Sequence, residues 1–498
     1  MSREATGLAE ESRHKRSVAH DTREAQVSQA DACEVVEGRP NHSGMFPKST
    51  RRELVRLAWP IAAALLGEVA MGLVDTKLAG GLGAAALAGV GVGTMLMFLS
   101  YAIVFGMMRG VTVRTAHALG EGRPDDGFAF ARAGLVLGAA FGVVVLVLGR
   151  DVSPLLRLIH ADEALIPPAR DFFAAVTLGA PAACAIAAFV QHRRGMGDAR
   201  TPMVAGIAGN VVNALLAWAL MYGHLGAPAL GARGAGLATA IVEVLELVAL
   251  FALFARDEAR ARDAARAAGR ELHGLSLRDA LREVASLGVP TGAQFGAETL
   301  AFATFTAVLS GISKEEIASH QIALAVIRVS FLPGVAVAEA ASVLVGQSLG
   351  RRRLADADAV TKDAIRLAVG FMALCGVLFA LGGGALARLF SDDPTVAVLA
   401  RRLLLVAAVF QVLDAVNIVL RGALRGAKDV RAVAMLGIFV VWSCVPTAAY
   451  VLGKLAGLGA LGGWLGFVAE TTLGAALFWR RWKRGGWRLA YAGARANE

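Results

Sequence analysis

The chain has 498 residues, of which 56% are hydrophobic and 18% are charged, and its formal net charge is +10. Soluble chains carry about 25% charged residues, so this composition excludes a row of water-soluble domains and places most of the chain in lipid. In a membrane protein an excess of Lys and Arg is typical of a basic cytosolic face, and no nucleic-acid partner is predicted.

Residues 1–48 are polar, carry charges of both signs and contain no apolar run, which predicts a disordered cytosolic tail without a signal peptide. Apolar segments then recur as far as residue 479, and most exceed the roughly 20 residues that a transmembrane helix needs. Twelve spans are predicted: 54–80, 85–118, 128–149, 168–192, 202–222, 234–255, 283–311, 317–348, 364–386, 397–422, 431–452 and 458–479. None alternates with the period of two of a barrel strand.

The charges in the connecting loops predict the orientation. With the N-terminus inside, the internal loops carry 22 Lys and Arg and the external loops with their flanks carry 10. This bias predicts a multi-pass protein of the inner (cytoplasmic) membrane with both termini in the cytosol. The predicted organisation is a tail (1–48), an N-lobe (49–255), a basic cytosolic linker (256–282), a C-lobe (283–480) and a second cytosolic tail (481–498).

The two lobes repeat each other. Matching positions recur at one constant offset along the chain: Pro60 and Pro290, Glu68 and Glu298, Gly120 and Gly350. The segment that begins at Arg194 matches the one at Arg425, where a single insertion lengthens the offset. Six spans per copy is an even number, so both copies enter the membrane from the same side. The predicted fold is therefore an all-α integral membrane protein, with twelve transmembrane helices as two six-helix bundles related by internal duplication and facing each other across a cleft.

Ionisable residues inside spans cost several kcal/mol unless they face a cavity or a partner. Asp75, Glu298 and Asp414 lie deep in predicted spans and are the strongest functional candidates. Glu68 lies two helical turns before Asp75, on nearly the same helical face. Other charged or polar residues in the spans are open to either a structural or a site role: Arg109, Asn210, Asn213, Glu243, Glu246, Arg328, Glu339 and Glu470.

Arg109 and Arg328 are the only arginines that the predicted spans place deep, and Arg328 is expected to be able to neutralise Glu298 or Glu339. The chain has no P-loop, HExxH or GxSxG motif, which argues against a pump driven by ATP and against a membrane hydrolase. The protein is therefore predicted not to be an enzyme and to need no cofactor. Its four cysteines are too far apart for a disulfide or metal pattern.

Several segments together resemble the multidrug and toxic compound extrusion (MATE) family, from Leu54 to about Trp479. The motifs that carry the resemblance are Leu73–Thr76 followed by Ala79–Gly83, Arg194–Asp198 with Thr201, Pro202 and Asn213, Pro290 with Glu298, Ser319–Gln321, and Gln411–Asn417 before Gly422–Gly426. The resemblance implies a secondary antiporter that exports small organic cations and drugs against an inward flow of H⁺ or Na⁺. Within this family, the combination of Glu298 and Asp414 resembles the pattern of the NorM branch.

By the same resemblance, Glu298, Asp414 and Asp75 carry the coupling cation, and the only metal considered is Na⁺ at Glu298 and Asp414. Glu68, Arg328, Asn210 and Asn213 are expected to line the cavity. The chain departs from the family pattern at Glu68, where glutamine is usual, and at Arg328, where the residue is usually apolar or small. A positive charge beside the C-lobe carboxylates favours H⁺ over Na⁺ as the coupling ion.

Two other functions remain open. A flippase or exporter of lipid-linked saccharides from the same superfamily would need several cavity arginines for a pyrophosphate group. A receptor or scaffold without transport would gain nothing from matched acids inside the membrane. The excess of deep acids over deep arginines favours a cationic ligand. Membrane lipid is the other expected partner.

Overall fold

The computed structural model describes residues 50–158, 162–269 and 274–488, and all regular structure within them is helical. The fourteen α-helices are α1 (Thr50–Gly80), α2 (Ala84–Gly120), α3 (Asp126–Leu148), α4 (Ser153–Leu158), α5 (Ile166–Val176), α6 (Ala180–Gly195), α7 (Arg200–Tyr222), α8 (Ala232–Ala267), α9 (Leu277–Ser310), α10 (Lys314–Gly350), α11 (Leu354–Phe390), α12 (Pro394–Gly426), α13 (Val430–Ala448) and α14 (Gly459–Lys483). The predicted tail 1–48 lies outside the described residues, as does the part of the second tail from residue 489 onward.

Local sequence signals fix several helix starts in the second half of the chain. Ser276 accepts a hydrogen bond from the backbone N–H of Asp279 at the start of α9, and Ser313 accepts one from the N–H of Glu316 at the start of α10. Asp393 caps α12, whose first residue is Pro394. Side-chain caps satisfy backbone donors that have no partner inside the helix, and proline fits the first helical position because it lacks an N–H.

Each of the twelve predicted spans lies on a helical segment. Eleven segments are long and apolar enough to cross a membrane, with α5 and α6 counted as one and α13 extended to Leu455 by a π-helix. The twelfth is α9, whose 34 residues reach about 50 Å. It is less apolar than the others because Gln294, Glu298 and several threonines lie along it.

The structure adds features that the apolar pattern did not indicate. The fourth span is broken by a 3₁₀ turn at Thr177–Gly179, between α5 and α6. Pro181 follows the turn and cannot donate a backbone hydrogen bond to residue 177, which accounts for the break. The predicted linker 256–282 is largely helical among its described residues, because α8 continues to Ala267 and α9 begins at Leu277.

Most helices pack on neighbours from the same half of the chain. In the N-lobe, α1 packs on α7, α7 on α8, α8 on α5 and α6, and α2 on α3, α5 and α6. In the C-lobe, α9 packs on α13, α13 on α14, and α12 on α10, α11 and α14. The lobes meet where α1 contacts α10 and where α9 contacts α2. These two crossings are equivalent under the duplication, since α1 corresponds to α9 and α2 to α10.

The contacts between the lobes lie toward one end of the helices, where α2, α6, α10 and α12 finish. We call this the basic end, because Arg and Lys side chains follow in the connecting turns. His117 Nε2 donates to the carbonyl oxygen of Gly426 at 2.8 Å, and Gln347 Nε2 donates to the carbonyl oxygen of Gly195 at 3.1 Å. His117 and Gln347 are equivalent positions, as are Gly195 and Gly426, so the two bonds are copies related by the duplication.

Glycines allow the lobes to approach closely at this end. A Cβ atom on Gly120 would overlap the backbone of Gln347 and Gly350, and one on Gly350 would overlap the backbone of His117 and Gly120. Farther along α2, a Cβ on Gly106 would lie 2.9 Å from Gly292 Cα of α9. Small residues let helix backbones pack closely in a bilayer, so these glycines determine how tightly the basic end closes.

Candidate functional site

The structure brings the predicted pair Glu298 and Asp414 together inside the C-lobe. Glu298, on α9, accepts a hydrogen bond from Gln294 Nε2 at 2.8 Å and forms an ion pair with Arg421 of α12. Asp414 lies two turns before Arg421, is 7% exposed, and interacts electrostatically with both Arg421 and Glu298. Two coupling candidates from different helices therefore share one arginine.

A third carboxylate completes this group. Asn417, one turn after Asp414 on α12, donates from its Nδ2 to Glu470 Oε1 of α14 at 3.4 Å. Glu470 interacts electrostatically with Asp414, Glu298 and Arg421. We call this set the C-lobe cluster; its members are Gln294, Glu298, Asp414, Asn417, Arg421 and Glu470. It contains three carboxylates and one guanidinium. Arg425, farther along α12, also interacts electrostatically with Glu298, so three carboxylates face two arginines and acids still exceed cations.

Neighbouring helices leave room for the cluster. A Cβ on Gly437 of α13 would overlap Gln294 Nε2 and would lie 3.1 Å from Glu298 Oε1. Trp442, also on α13, donates its indole N–H to the carbonyl oxygen of Ala297 at 3.1 Å and so fixes α9 beside the cluster. Gln294 Oε1 and Asn417 Oδ1 are buried without a hydrogen-bond partner among the described residues. Free acceptors beside carboxylates suit a bound cation or a proton donor.

A second charged group lies between the lobes. Arg109 of α2 pairs with Glu339 of α10, and these two positions have the same offset as Pro60 and Pro290, hence are equivalent under the duplication. The Arg109 guanidinium also lies 4.3 Å from the centre of the Phe295 ring, and that of Arg425 lies 5.5 Å from the same ring. Arg194, the equivalent of Arg425, interacts with Glu339. We call Arg109, Arg194, Glu339 and Arg425 the axis network; it joins the lobes through charges as well as through packing.

The predicted N-lobe residues lie apart from the C-lobe cluster. Glu68 is exposed and interacts with Arg194 and with Glu246 of α8. Asn210 Nδ2 faces α1 at Gly67, while Asn213 is buried and its Oδ1 has no hydrogen-bond partner within the described ranges. Asp75 is half-buried two turns beyond Glu68 and forms no ion pair with a described residue.

The expectation that Arg328 could neutralise Glu298 or Glu339 is wrong in this structure, because Glu298 pairs with Arg421 and Glu339 with Arg109, while Arg328 is exposed. Three arginines that were assigned to internal loops, Arg194, Arg421 and Arg425, are helical, because α6 continues to Gly195 and α12 to Gly426. Arg421 pairs with Glu298, while Arg194 and Arg425 both interact with Glu339. A signal was present, since Asp414, Asn417 and Arg421 have the spacing of one helical face.

Comparison with known proteins fits this architecture. The MatE family model matches residues 60–219 and 290–451, and the two matches begin at Pro60 and Pro290, the same pair of positions that the duplication relates. The chain is 30% identical over 444 residues to the "Probable multidrug resistance protein NorM" of Shewanella oneidensis, covering 88% of this chain and 95% of the relative.

Solved structures show the same fold at lower identity. A MOP superfamily transporter from Pyrococcus furiosus superposes with a TM-score of 0.78 at 21% identity, covering 89% of this chain and 97% of the other. The Vibrio cholerae MATE transporter VcmN superposes with a TM-score of 0.78 at 16% identity, covering 90% and 98%. With two family matches, one in each lobe, and a NorM relative matched over most of both chains, this protein belongs to the MatE family of multi-pass membrane transporters.

Proposed function

We propose that the protein is a secondary antiporter that exports organic cations across the cytoplasmic membrane in exchange for inward H⁺. The observation that carries this proposal is the C-lobe cluster, where three carboxylates meet one arginine in a largely buried place between α9, α12 and α14. Its excess negative charge suits a cation, and burial strengthens that attraction. The kinship with a probable multidrug resistance protein supports small organic substrates.

Exchange follows from competition for the same negative charge. Protonation of Glu298 or Asp414 removes a charge that a cationic substrate would otherwise use, so the proton and the substrate disfavour each other. Such competition drives transport only if the two ligands bind the two conformations differently. Arg421, and not Arg328, is the fixed cation beside Glu298. Its charge beside Glu298 repels Na⁺ and supports H⁺ as the coupling ion.

The contacts between the lobes support a mechanism in which the lobes rock about the axis network. The positive-inside bias places the basic end in the cytosol with both termini, so the state described here is closed toward the cytosol. A solved MATE family transporter described as outward-facing superposes with a TM-score of 0.78 at 20% identity. Parallel repeats that move as rigid halves would then open the basic end.

Vesicles containing the purified protein test the proposal, with ethidium or tetraphenylphosphonium as substrate and with pH and Na⁺ gradients imposed separately. Export driven by the pH gradient alone is expected. Asp414→Asn is expected to abolish it, and Glu68→Gln, which places the usual family residue, is expected to be milder and serves as the matched control. Export that follows only the Na⁺ gradient would contradict H⁺ coupling. Full export by Asp414→Asn would place the coupling site elsewhere, first at Asp75.

The arginines support a second candidate, an exporter of anionic lipid-linked saccharides. Arg109 interacts with both Arg194 and Arg425 in the axis network. These three arginines exceed the two that the predicted spans placed deep. The Pyrococcus furiosus relative is described as having a binding pocket of reverse polarity that points to a different function. Competition by a lipid pyrophosphate, with no effect of a neutral lipid, would favour this candidate over export of organic cations.

A further inference from the structure

A buried carboxylate lies inside the N-lobe, at the break between α5 and α6. Glu243 of α8 reaches this break, and a Cβ on Gly179, the last residue of the 3₁₀ turn, would overlap the Glu243 carboxylate. Glu243 Oε2 is buried and has no hydrogen-bond partner among the described residues. Irregular backbone at membrane depth is tolerated where it is buried in protein or lines a cavity, and broken helices mark binding sites in transporters.

A second buried group without a partner interacts with Glu243. Tyr101 of α2 is 3% exposed, and its hydroxyl makes no hydrogen bond within the described part of the chain. The hydroxyl interacts electrostatically with Glu243 and with the Cys184 thiol of α6. Native structures seldom leave buried polar groups unsatisfied, and such groups call for a functional explanation.

The surroundings of Glu243 contain no described cation. The titratable groups that interact with it are Glu246 on its own helix, Tyr101 and Cys184. Helix α7 carries no titratable side chain between its terminal residues Arg200 and Tyr222. On α5, the charged residues Arg170 and Asp171 pair with each other at 2.9 Å. The C-lobe cluster differs, because Arg421 supplies a cation there.

Electrostatic interactions relate Glu243 to the axis network. Glu246 lies one helical turn after Glu243 on α8, interacts with it, and also interacts with Glu68 of α1. Glu68 in turn interacts with Arg194, which interacts with Glu339 of the other lobe. A change of charge at Glu243 can therefore influence the charges between the lobes.

We propose that Glu243, together with Tyr101 and Glu246, forms a proton-binding site inside the N-lobe, distinct from Asp75 and from the C-lobe cluster. Its ligand is a proton, carried on the Glu243 carboxyl. Glu243 Oε2 and the Tyr101 hydroxyl both lack a partner in the state described here, and we expect the hydroxyl to bond to the carboxyl when Glu243 is protonated. The site rests on the proposed function only for its role in coupling, since its protonation is measurable without transport.

Infrared difference spectroscopy of the purified protein in lipid, recorded across a pH series, tests the site through the C=O band of protonated carboxyls. In Glu243→Gln, the intensity of this C=O band is expected to fall by the contribution of one carboxyl per chain. Tyr101→Phe is expected to keep that contribution at an altered frequency, because it removes only the hydroxyl. Glu163→Gln is the control, since its side chain is 73% exposed and should leave the band unchanged.

An unchanged band in folded Glu243→Gln protein would overturn the proposal. If that variant does not fold, Tyr101→Phe decides, because its ring still fills the same space and an unaltered frequency would equally overturn the assignment. The outcome is separable from the proposed function. Full export by Asp414→Asn would refute the C-lobe coupling site and would leave the Glu243 band unchanged. Loss of the band in Glu243→Gln would support the proton site whether or not Asp414→Asn exports.

Discussion

Variants of the ion pair of Glu298 and Arg421 allow its contribution to stability and its contribution to ion-coupled export to be measured separately. Their side chains are 16% and 13% exposed, so removing one partner leaves a largely buried charge. Breaking such a pair typically costs about 3–5 kcal/mol. Glu298→Gln should cost about 3 kcal/mol, because Asp414 and Glu470 still compensate Arg421. Arg421→Gln should cost more, about 5 kcal/mol, because it removes the ion-pair partner of Glu298 and the cation that interacts with Asp414 and Glu470, while Arg425 continues to interact with Glu298.

The double variant Glu298→Gln/Arg421→Gln is expected to be more stable than the sum of the two costs predicts, by about 2–3 kcal/mol, because neither charge is left alone. The free energy of unfolding in detergent or mixed micelles measures this coupling, and export driven by a pH gradient is measured on the same preparations. We expect the double variant to regain stability but not export. Costs that add within about 0.5 kcal/mol would refute the ion pair as a coupled unit.

Three further predictions concern the packing and the axis network. Gly437→Ala is expected to reduce export several-fold in vesicles with little loss of expression, because its Cβ displaces the fully buried Gln294 side chain from Glu298. Gly120→Val is expected to cost about 1–3 kcal/mol of unfolding free energy, since its side chain meets the opposite lobe. Gly91→Val is the control, because Gly91 lies on the same helix with open space around it. Equal losses of unfolding free energy in the two variants would contradict a lobe contact at Gly120. The single variants Arg109→Glu and Glu339→Arg should each lower the melting temperature of the protein, because each leaves two like charges facing each other. The double variant, in which the two charges are exchanged, should restore it because the positions are equivalent. A double variant with a melting temperature no higher than that of either single variant would count against the pair.

The sequence was sufficient for the membrane architecture because lipid imposes a strong and local constraint. A span must be apolar for about 20 residues and must satisfy its own backbone, so each of the twelve helices is visible as a run in the chain. The duplication was equally visible, since it depends on positions alone. Asp75, Glu298 and Asp414 could be selected because a charge in an apolar run is costly wherever the helix lies.

Partners, in contrast, depend on which helix faces are brought together. The sequence did not indicate that Glu298 meets Arg421 rather than Arg328, because α9 and α12 are far apart along the chain and only their packing joins them. Nor did it reveal the pair of Arg109 and Glu339, although these two positions have the offset of the duplication. The ends of spans were least certain, since a buried acid keeps an arginine inside a helix that hydropathy alone would end. The sequence by itself therefore determined which charges lie in the membrane, and only the tertiary structure decided which of them neutralise one another.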